Sequence, residues 1–465
     1  MLNIEQEHPE YREKQEMRKK YRDLYAGGER MKQNAGQYLI RRQKEPLQVY
    51  AERLSCVFYE NYIGSIIDWY TSTLFRREPV LIYDGPDENG KKFFQTFSDD
   101  CDRKGSSITD FFRRQLCEAL VDGRSHVLID FPRSLTPAAS RAEEDAKGLS
   151  RAYLVGYGAE NLINWSRDEA GNYEWVVLRT SGVRKERLEG TYVNETRWTY
   201  YDKREFQTFR RVEVEGAKGK IEPIDHGRHG LWKQQRVPVL DLEISDGLWL
   251  MNKSALLQLE HFNKSNALSW ALSMGLFASP VIYSEREFDQ VVGESYYIQL
   301  GVNDRFGYTE PAGRVYTIAA ENLVQLKDEI YRVCYLLAQA GNSSGSGAQQ
   351  SALSKQRDFT ITQHILRAYG DAVKDAIKRA LRAVAAARED ELTIDVSGLD
   401  EFDIGDFSDE LDDAAKLFAL GIQSQAFRKQ VYKKLAFKYL CDVRQALKDE
   451  IATEIDQWFE QQQGK

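Results

Sequence analysis

Ten residues from Gly341 to Gln350, Gly-Asn-Ser-Ser-Gly-Ser-Gly-Ala-Gln-Gln, hold no apolar side chain larger than alanine and run directly into the longest helix-forming stretch of the chain. Glycine and serine at that density select no single backbone conformation, so a mobile, solvated loop is expected there. From Ser351 to Arg388 there is no proline and one glycine, Gly370, while Leu366, Tyr369, Val373, Ile377, Ala380 and Val384 recur at helical spacing. The other face carries Lys355, Arg357, Arg367, Lys374, Lys378, Arg379, Arg382 and Arg388 against Asp358, Asp371 and Asp375, a local balance of +5. A mainly basic helix in an acidic chain invites an anionic partner. A plain linker before a surface helix has the same pattern, so the flanks decide.

The chain has 465 residues, enough for two to four compact regions, with a net charge of −8. That balance excludes a general nucleic-acid sponge and leaves room only for local or weak DNA contact. The cysteines, Cys56, Cys101, Cys117, Cys334 and Cys441, are scattered without a C-x-x-C pair. This points to a reducing compartment and away from disulfide scaffolds and zinc ribbons. Met1 to Lys20 is charged throughout, unlike a signal peptide, and no run approaches the roughly 18 apolar residues of a membrane span. The expectation is a cytosolic soluble protein, or part of an assembly built in the cytosol.

Taken in order, residues up to Tyr25 read as a polar helix broken at Ala26-Gly27-Gly28. Leu47 to Phe75 reads as one largely buried helix, with Tyr50, Leu54, Ile63, Ile67, Tyr70 and Leu74 at helical intervals, followed by a short strand Val80 to Tyr83. Ile108 to Leu120, Asp122-Gly123 and His126 to Asp130 read as helix, tight turn and buried strand; residues 133–150 read as an exposed excursion. Between Tyr153 and Val214 alternating aromatic and β-branched runs predict an antiparallel meander, completed by Val237 to Leu240.

The period then returns to helix from Lys253 to Phe277, with Ser265, Ser269 and Ser273 as a polar stripe beside Leu268, Leu272 and Leu276. A small β-like excursion, Val281 to Gly313, leads to a second helix from Glu321 to Gln339. Its Leu323, Leu326, Ile330, Val333 and Leu337 form a seam suited to another helix. Antiparallel packing of the two would put the excursion at one end and the Gly/Ser loop at the other, roughly 30 Å apart. After Asp390 come a strand, Leu392 to Val396, an acidic run from Asp400 to Asp413 with eight carboxylates and no basic residue, and helices from Leu411 to Phe459.

The catalytic search finds neither a G-x-x-x-x-G-K-[ST] phosphate loop nor an H-E-x-x-H helix. His226 and His229 read as parts of a surface turn, His261 and His364 as helical residues, and Cys117 as a small core residue rather than a nucleophile for His126. No catalytic residue, metal site or cofactor is expected.

Several segments in this order are similar to the portal proteins of tailed bacteriophages, in particular to a divergent subgroup long filed as a domain of unknown function. They are Tyr25-Ala-Gly-Gly-Glu29, Leu74-Phe-Arg-Arg-Glu-Pro79 and Glu118-Ala-Leu-Val-Asp-Gly-Arg-Ser-His-Val-Leu-Ile-Asp-Phe-Pro132, then Ser254-Ala-Leu-Leu-Gln-Leu-Glu-His-Phe-Asn263, Phe277-Ala-Ser-Pro-Val281 and Gly307-Tyr-Thr-Glu-Pro-Ala-Gly313. The resemblance implies an α+β portal fold: an α/β wing (1–250), stem helices (251–278 and 320–340) around a small β-containing clip (279–319), a tunnel loop (341–355), a long wing helix (356–390) and a helical crown (391–465). It implies a non-enzymatic virion protein, assembled in the host cytoplasm, that forms a ring of typically twelve subunits at one capsid vertex. Double-stranded DNA would pass through it without sequence specificity. Its partners would be the terminase large subunit, the head-tail adaptor, and the major capsid and scaffolding proteins, with no membrane.

On that analogy Ser343, Ser344, Ser346, Gln349, Gln350, Lys355 and Arg357 line the channel. Weak polar contacts suit a conduit, because dense Lys and Arg would grip the DNA that must slide. An uncharacterised cytosolic hydrolase with residues 341–350 as its lid, and another head or adaptor component of a virion, are the alternatives.

Overall fold

The computed structural model describes residues 3–132, 148, 151–185, 190–214, 217–275, 279–284, 302–309, 313–336, 352–400, 415–419, 424–440 and 445–463. In chain order the helices are α1 (Pro9–Ala26), α2 (Gly28–Asn34), α3 (Leu47–Ser55), α4 (Tyr62–Leu74), α5 (Glu88–Asp99), α6 (Ile108–Asp122), α7 (Leu250–Gly275), α8 (Gly313–Val333), α9 (Ala352–Arg388), α10 (Gln425–Tyr439) and α11 (Gln445–Gln463). The strands are β1 (Val80–Asp84), β2 (Arg124–Asp130), β3 (Tyr153–Gly158), β4 (Leu162–Arg167), β5 (Tyr173–Arg184), β6 (Val193–Asp202), β7 (Glu205–Val214), β8 (Ala217–Lys218), β9 (Glu222–Arg228), β10 (Val239–Glu243), β11 (Ser279–Tyr283), β12 (Arg305–Thr309) and β13 (Thr393–Ser397). The class is α+β. The chain forms two units, one of residues 1–22, 67–252 and 360–465, the other of residues 23–66 and 253–359. No described helix is long and apolar enough to cross a membrane.

In the first unit β4, β5, β6 and β7 make the expected antiparallel meander, and both β8 and β9 pair with β7. Trp165, Tyr173, Val176, Leu178, Trp198 and Phe206 of this sheet close a core with Ile4, Tyr11 and Val237. The expectation that Val237 to Leu240 completes the meander is corrected. β10 pairs instead with β2, Leu240 opposite Val127 and Asp241 opposite His126, in a sheet of order β10-β2-β3. The reason lies in β2, whose residues from Ser125 to Asp130 are all buried. A strand buried on both faces belongs in the middle of a sheet and needs a neighbour on each edge.

Helix α6 enters this sheet through a sharp turn. Ser107 caps its start by accepting from the Asp110 amide at 3.1 Å, and Gly123 ends it in the left-handed conformation, φ 84°. The last helical residue, Asp122, is fully buried and is held by Arg22, which donates through Nε at 2.9 Å and also reaches Glu118 and Glu160. Asp122 Oδ1 has no hydrogen-bond partner among the described residues. Burial outweighs the arginine and pushes the carboxyl up to about 6.

Helix α9 bears out the reading of its inner face: Leu366, Tyr369, Val373, Ile377, Ala380 and Val384 are all fully buried. Tyr369 meets Tyr70 edge-on at 5.6 Å, and its hydroxyl donates to the Leu248 carbonyl at 2.5 Å. Among the described helical glycines, Gly370 alone would have its Cβ overlap main chain of another segment, the carbonyl oxygen of Leu399 just beyond β13. Much of the basic face turns out to be engaged within the chain. Lys374 pairs with Asp371 at 2.9 Å, Lys378 with Asp395 at 2.6 Å, and buried Arg388 with Asp390 at 2.8 Å while lying over the Phe93 ring. The unmet charge offered to a partner is therefore smaller than +5.

In the second unit the single helix expected from Leu47 to Phe75 is two, α3 and α4, and α8 begins at Gly313 rather than Glu321. The interruption at residues 56–61 has its cause in side chains of α7, which bind the main chain of that segment. The excursion at 133–150, apart from Gly148, and nearly all of the acidic run at 400–413 lie outside the described residues.

In an open helix Gly370→Ala would gain about 1 kcal/mol of propensity; against the Leu399 carbonyl, overpacking of about 1–3 kcal/mol reverses the sign. Chemical denaturation should show a net loss, and a more stable variant would contradict the close approach. Asp122 titrates above its ordinary value of 3.8, so the native state binds that proton more tightly. Its contribution is present below that value and is lost as pH rises through about 6. Unfolding free energy measured from pH 4 to 6 should lose this downward component in Asp122→Asn, and an unchanged slope would contradict the assignment.

Candidate interface site

Helices α7 and α8 run antiparallel, in line with the expectation from sequence. Lys253 lies 4.2 Å from the Tyr335 ring centre, Lys264 Nζ donates to Asn322 Oδ1 at 2.9 Å, and the Tyr316 hydroxyl donates to the Ala271 carbonyl at 3.4 Å. Each step up one helix is a step down the other. Between them β11 and β12 form a two-stranded antiparallel hairpin, Ser279 opposite Thr309 and Tyr283 opposite Arg305. The helix pair thus carries the β11–β12 pair at one end, and α8 finishes at the other, about 30 Å away at 1.5 Å per residue.

The inner face of α7 sets an unusual number of polar residues among apolar Met251, Ala255 and Phe262. Ser254, Gln258, His261, Ser265 and Asn266 are buried. Three amides on this helix each answer one N–H and one C=O of neighbouring main chain. Asn266 accepts from the Phe58 amide at 3.1 Å and donates to the Phe58 carbonyl at 2.9 Å. Asn263 accepts from Ile40 at 2.8 Å and donates to the Tyr38 carbonyl at 3.1 Å; Gln258 donates to the Glu60 carbonyl at 2.7 Å and accepts from Ile63 at 3.3 Å. A side-chain amide presents donors and an acceptor, the complement of a peptide unit. Held this way, residues 56–61 have no need of helical hydrogen bonds, which is why α3 and α4 are separate.

His261 completes this face. The Tyr62 ring stands edge-on to it at 5.0 Å, and its Nε2 is 3.5 Å from the Glu60 carboxylate. Burial holds its pKa below the ordinary value, with the Lys327 charge adding to that and Glu60 opposing it.

Several large apolar side chains of the helix pair stay outside. Leu256 on α7 is 71% exposed, and Val315 and Ile318 on α8 are 66% and 55% exposed. Of the seam residues, Ile330 is buried and Leu323, Leu326 and Val333 are not fully so; Leu337 lies outside the described residues. So do Ser343, Ser344, Ser346, Gln349 and Gln350, whereas Lys355 and Arg357 fall in the first turns of α9.

The histidines differ from the surface-turn reading. His226 belongs to β9, opposite Gln207, and His229 is buried, with Nε2 2.9 Å from the Asp202 carbonyl. His126 is bound to Asp241 at 2.7 Å rather than to Cys117. Among the described residues no group of three His, Cys, Asp or Glu is placed to hold a metal ion.

The serine stripe of α7 stood out in the sequence, and the amides beside it did not. Ser265 and Ser273 spend their hydroxyls on carbonyls of their own helix, Phe262 and Ser269. Asn266→Ala would leave both polar groups of Phe58 unmatched, and a stability loss of about 1–3 kcal/mol is expected in chemical denaturation. A neutral outcome would show that water replaces the clamp.

No family model matches this sequence, and no curated protein matches it either. Among solved structures the chain is similar to one in the neck of an empty gene transfer agent (GTA) particle computed with C6 symmetry, at 13% identity and a TM-score of 0.45, covering 80% of this chain and 90% of that one. It is similar to a chain in the virion of a native GTA particle, at 13% identity and a TM-score of 0.42, covering 85% and 96%. A chain in the neck of a native GTA particle computed with C12 symmetry gives 12% identity and a TM-score of 0.42, covering 79% and 89%.

Proposed function

We propose that this chain is a portal subunit: copies of it close into a ring at one vertex of a phage-type capsid, and double-stranded DNA passes through the centre during packaging and ejection. One observation carries the reading. An antiparallel helix pair with the β11–β12 pair at one end, followed along the chain by a 37-residue helix, leaves Leu256, Val315 and Ile318 uncovered in the single chain. Side chains of that kind gain about 1.5–3 kcal/mol each on burial, and a head-to-tail contact between copies supplies the cover and closes into a ring.

In this reading α7 and α8 are the stem; because α8 begins at Gly313 and α9 at Ala352, the clip shortens to residues 279–312 and the tunnel loop to 341–351, with 391–465 the crown. The clip is where the terminase large subunit and later the head-tail adaptor dock, and the wing faces the capsid and scaffolding proteins. Twelve copies at −8 each carry about −96, a field that repels DNA and opposes a permanent grip on it. The small uncharged side chains Ser343, Ser344, Ser346, Gln349 and Gln350, with Lys355 and Arg357 behind them, then face the bore. The protein needs no bond-making chemistry for this role.

Native mass spectrometry with negative-stain imaging tests the proposal. The full chain should give an annular oligomer with a central hole. The triple variant Leu256→Glu, Val315→Glu, Ile318→Glu should remain monomeric with an unchanged melting temperature. A monomeric parent chain, or a variant that still forms rings, would reject the assignment.

A further inference from the structure

A cleft of about 410 Å³ opens in the first unit between the β4–β5 turn, β10 and α9, and its lining includes Arg167, Tyr173, Arg236, Asp241 and Arg379. Its volume falls in the range of small-molecule sites. At its floor the Asp241 carboxylate is fully committed: His126 Nδ1, the Tyr173 hydroxyl and the Arg167 guanidinium each donate to it at 2.7 Å. Burial would raise its pKa, but these donors and the charges behind them hold it below the ordinary carboxylate range. Arg167 is thereby neutralised as well.

The other two arginines are not. Arg379 donates to the main-chain carbonyl of Asp241 at 2.7 Å and to that of Asp375 at 3.4 Å, which uses two of its five N–H groups and leaves its charge unanswered. Arg236 makes no hydrogen bond or ion pair with any described residue. Burial, and then the charge of Arg379, hold its pKa below the usual value. Asp375 and Glu243 line the same cleft and, like Arg236 and Arg379, are exposed; neither forms an ion pair with Arg236 or Arg379. Two neighbouring guanidiniums that pair with neither carboxylate are neutralised better by one dianion than by a singly charged group, and their planar forks match phosphate oxygens.

We infer that this cleft binds a phosphate dianion through Arg236 and Arg379, either free or carried on a small organic group such as a nucleoside. The site is independent of the ring proposal, since every residue it uses lies in one chain. Isothermal titration of the full chain with inorganic phosphate, with deoxyadenosine monophosphate and with a duplex oligonucleotide tests it, using Arg236→Gln as the control because Arg236 holds no other residue in place. The expected result is saturable binding of phosphate or the nucleotide that falls about 10-fold or more in Arg236→Gln, while the melting temperature without ligand is unchanged. Tighter binding of the nucleotide identifies an organic phosphate as the ligand, and equal binding identifies the free ion. No binding of either at millimolar concentration, equal binding by Arg236→Gln, or binding of the duplex alone overturns the inference.

Discussion

A helix can satisfy one face at the expense of another, and α7 does so. Beside apolar Ala255 and Phe262, its buried side carries Gln258, His261, Ser265 and Asn266, and apolar Leu256 stays outside. An amide clamp holds main chain well, because each amide answers one N–H and one C=O. It also fixes which way the helix faces. Rotating α7 to bury Leu256 would strand buried polar groups, each at about 1–3 kcal/mol, and together they outweigh the return from one leucine. The exposure of Leu256 is therefore built into the way α7 is held, and the proposed ring would cover it.

The first unit shows the same economy of close fit. Gly370 lets α9 approach the main chain at Leu399, and Gly123 turns α6 into β2 in the left-handed conformation. Asp122, just before that turn, ties α6 to α1 through Arg22. The portal-like segments hold several residues of this kind, and none of them offers chemistry to a substrate. Glu118 to Pro132 contains Asp122 and Gly123, and Ser254 to Asn263 contains two of the three clamps, Gln258 and Asn263. Such segments mark how the chain is held in shape.

Periodicity made the long helix legible in full, because a 37-residue amphipathic element overrides local ambiguity. The meander and the helix–hairpin–helix order were legible too. What stayed hidden depended on distant partners. β10 is a short apolar run with nothing local to say which strand it joins. The split between α3 and α4 is imposed by amides some two hundred residues away. Helix α5 was missed, although its signals were present: Asp87 caps it by accepting from the Gly90 amide at 2.9 Å, and Phe94 and Phe97 are buried. For the candidate channel residues, composition supplies only the expectation of a solvated loop, and their facing the bore rests on the portal analogy. The Arg236 and Arg379 cleft was invisible because its two arginines are far apart in sequence.

If the chain is a ring subunit, neighbouring copies must cover the faces of α7 and α8 that it cannot cover itself. Electron cryomicroscopy of the assembled protein tests this most directly. A closed ring in which Leu256, Val315 and Ile318 are buried between neighbouring subunits, with residues 341–350 at the narrowest point of the bore, is the predicted result. An assembly that leaves those side chains in solvent, or one that carries residues 341–350 on its outer surface, would contradict it.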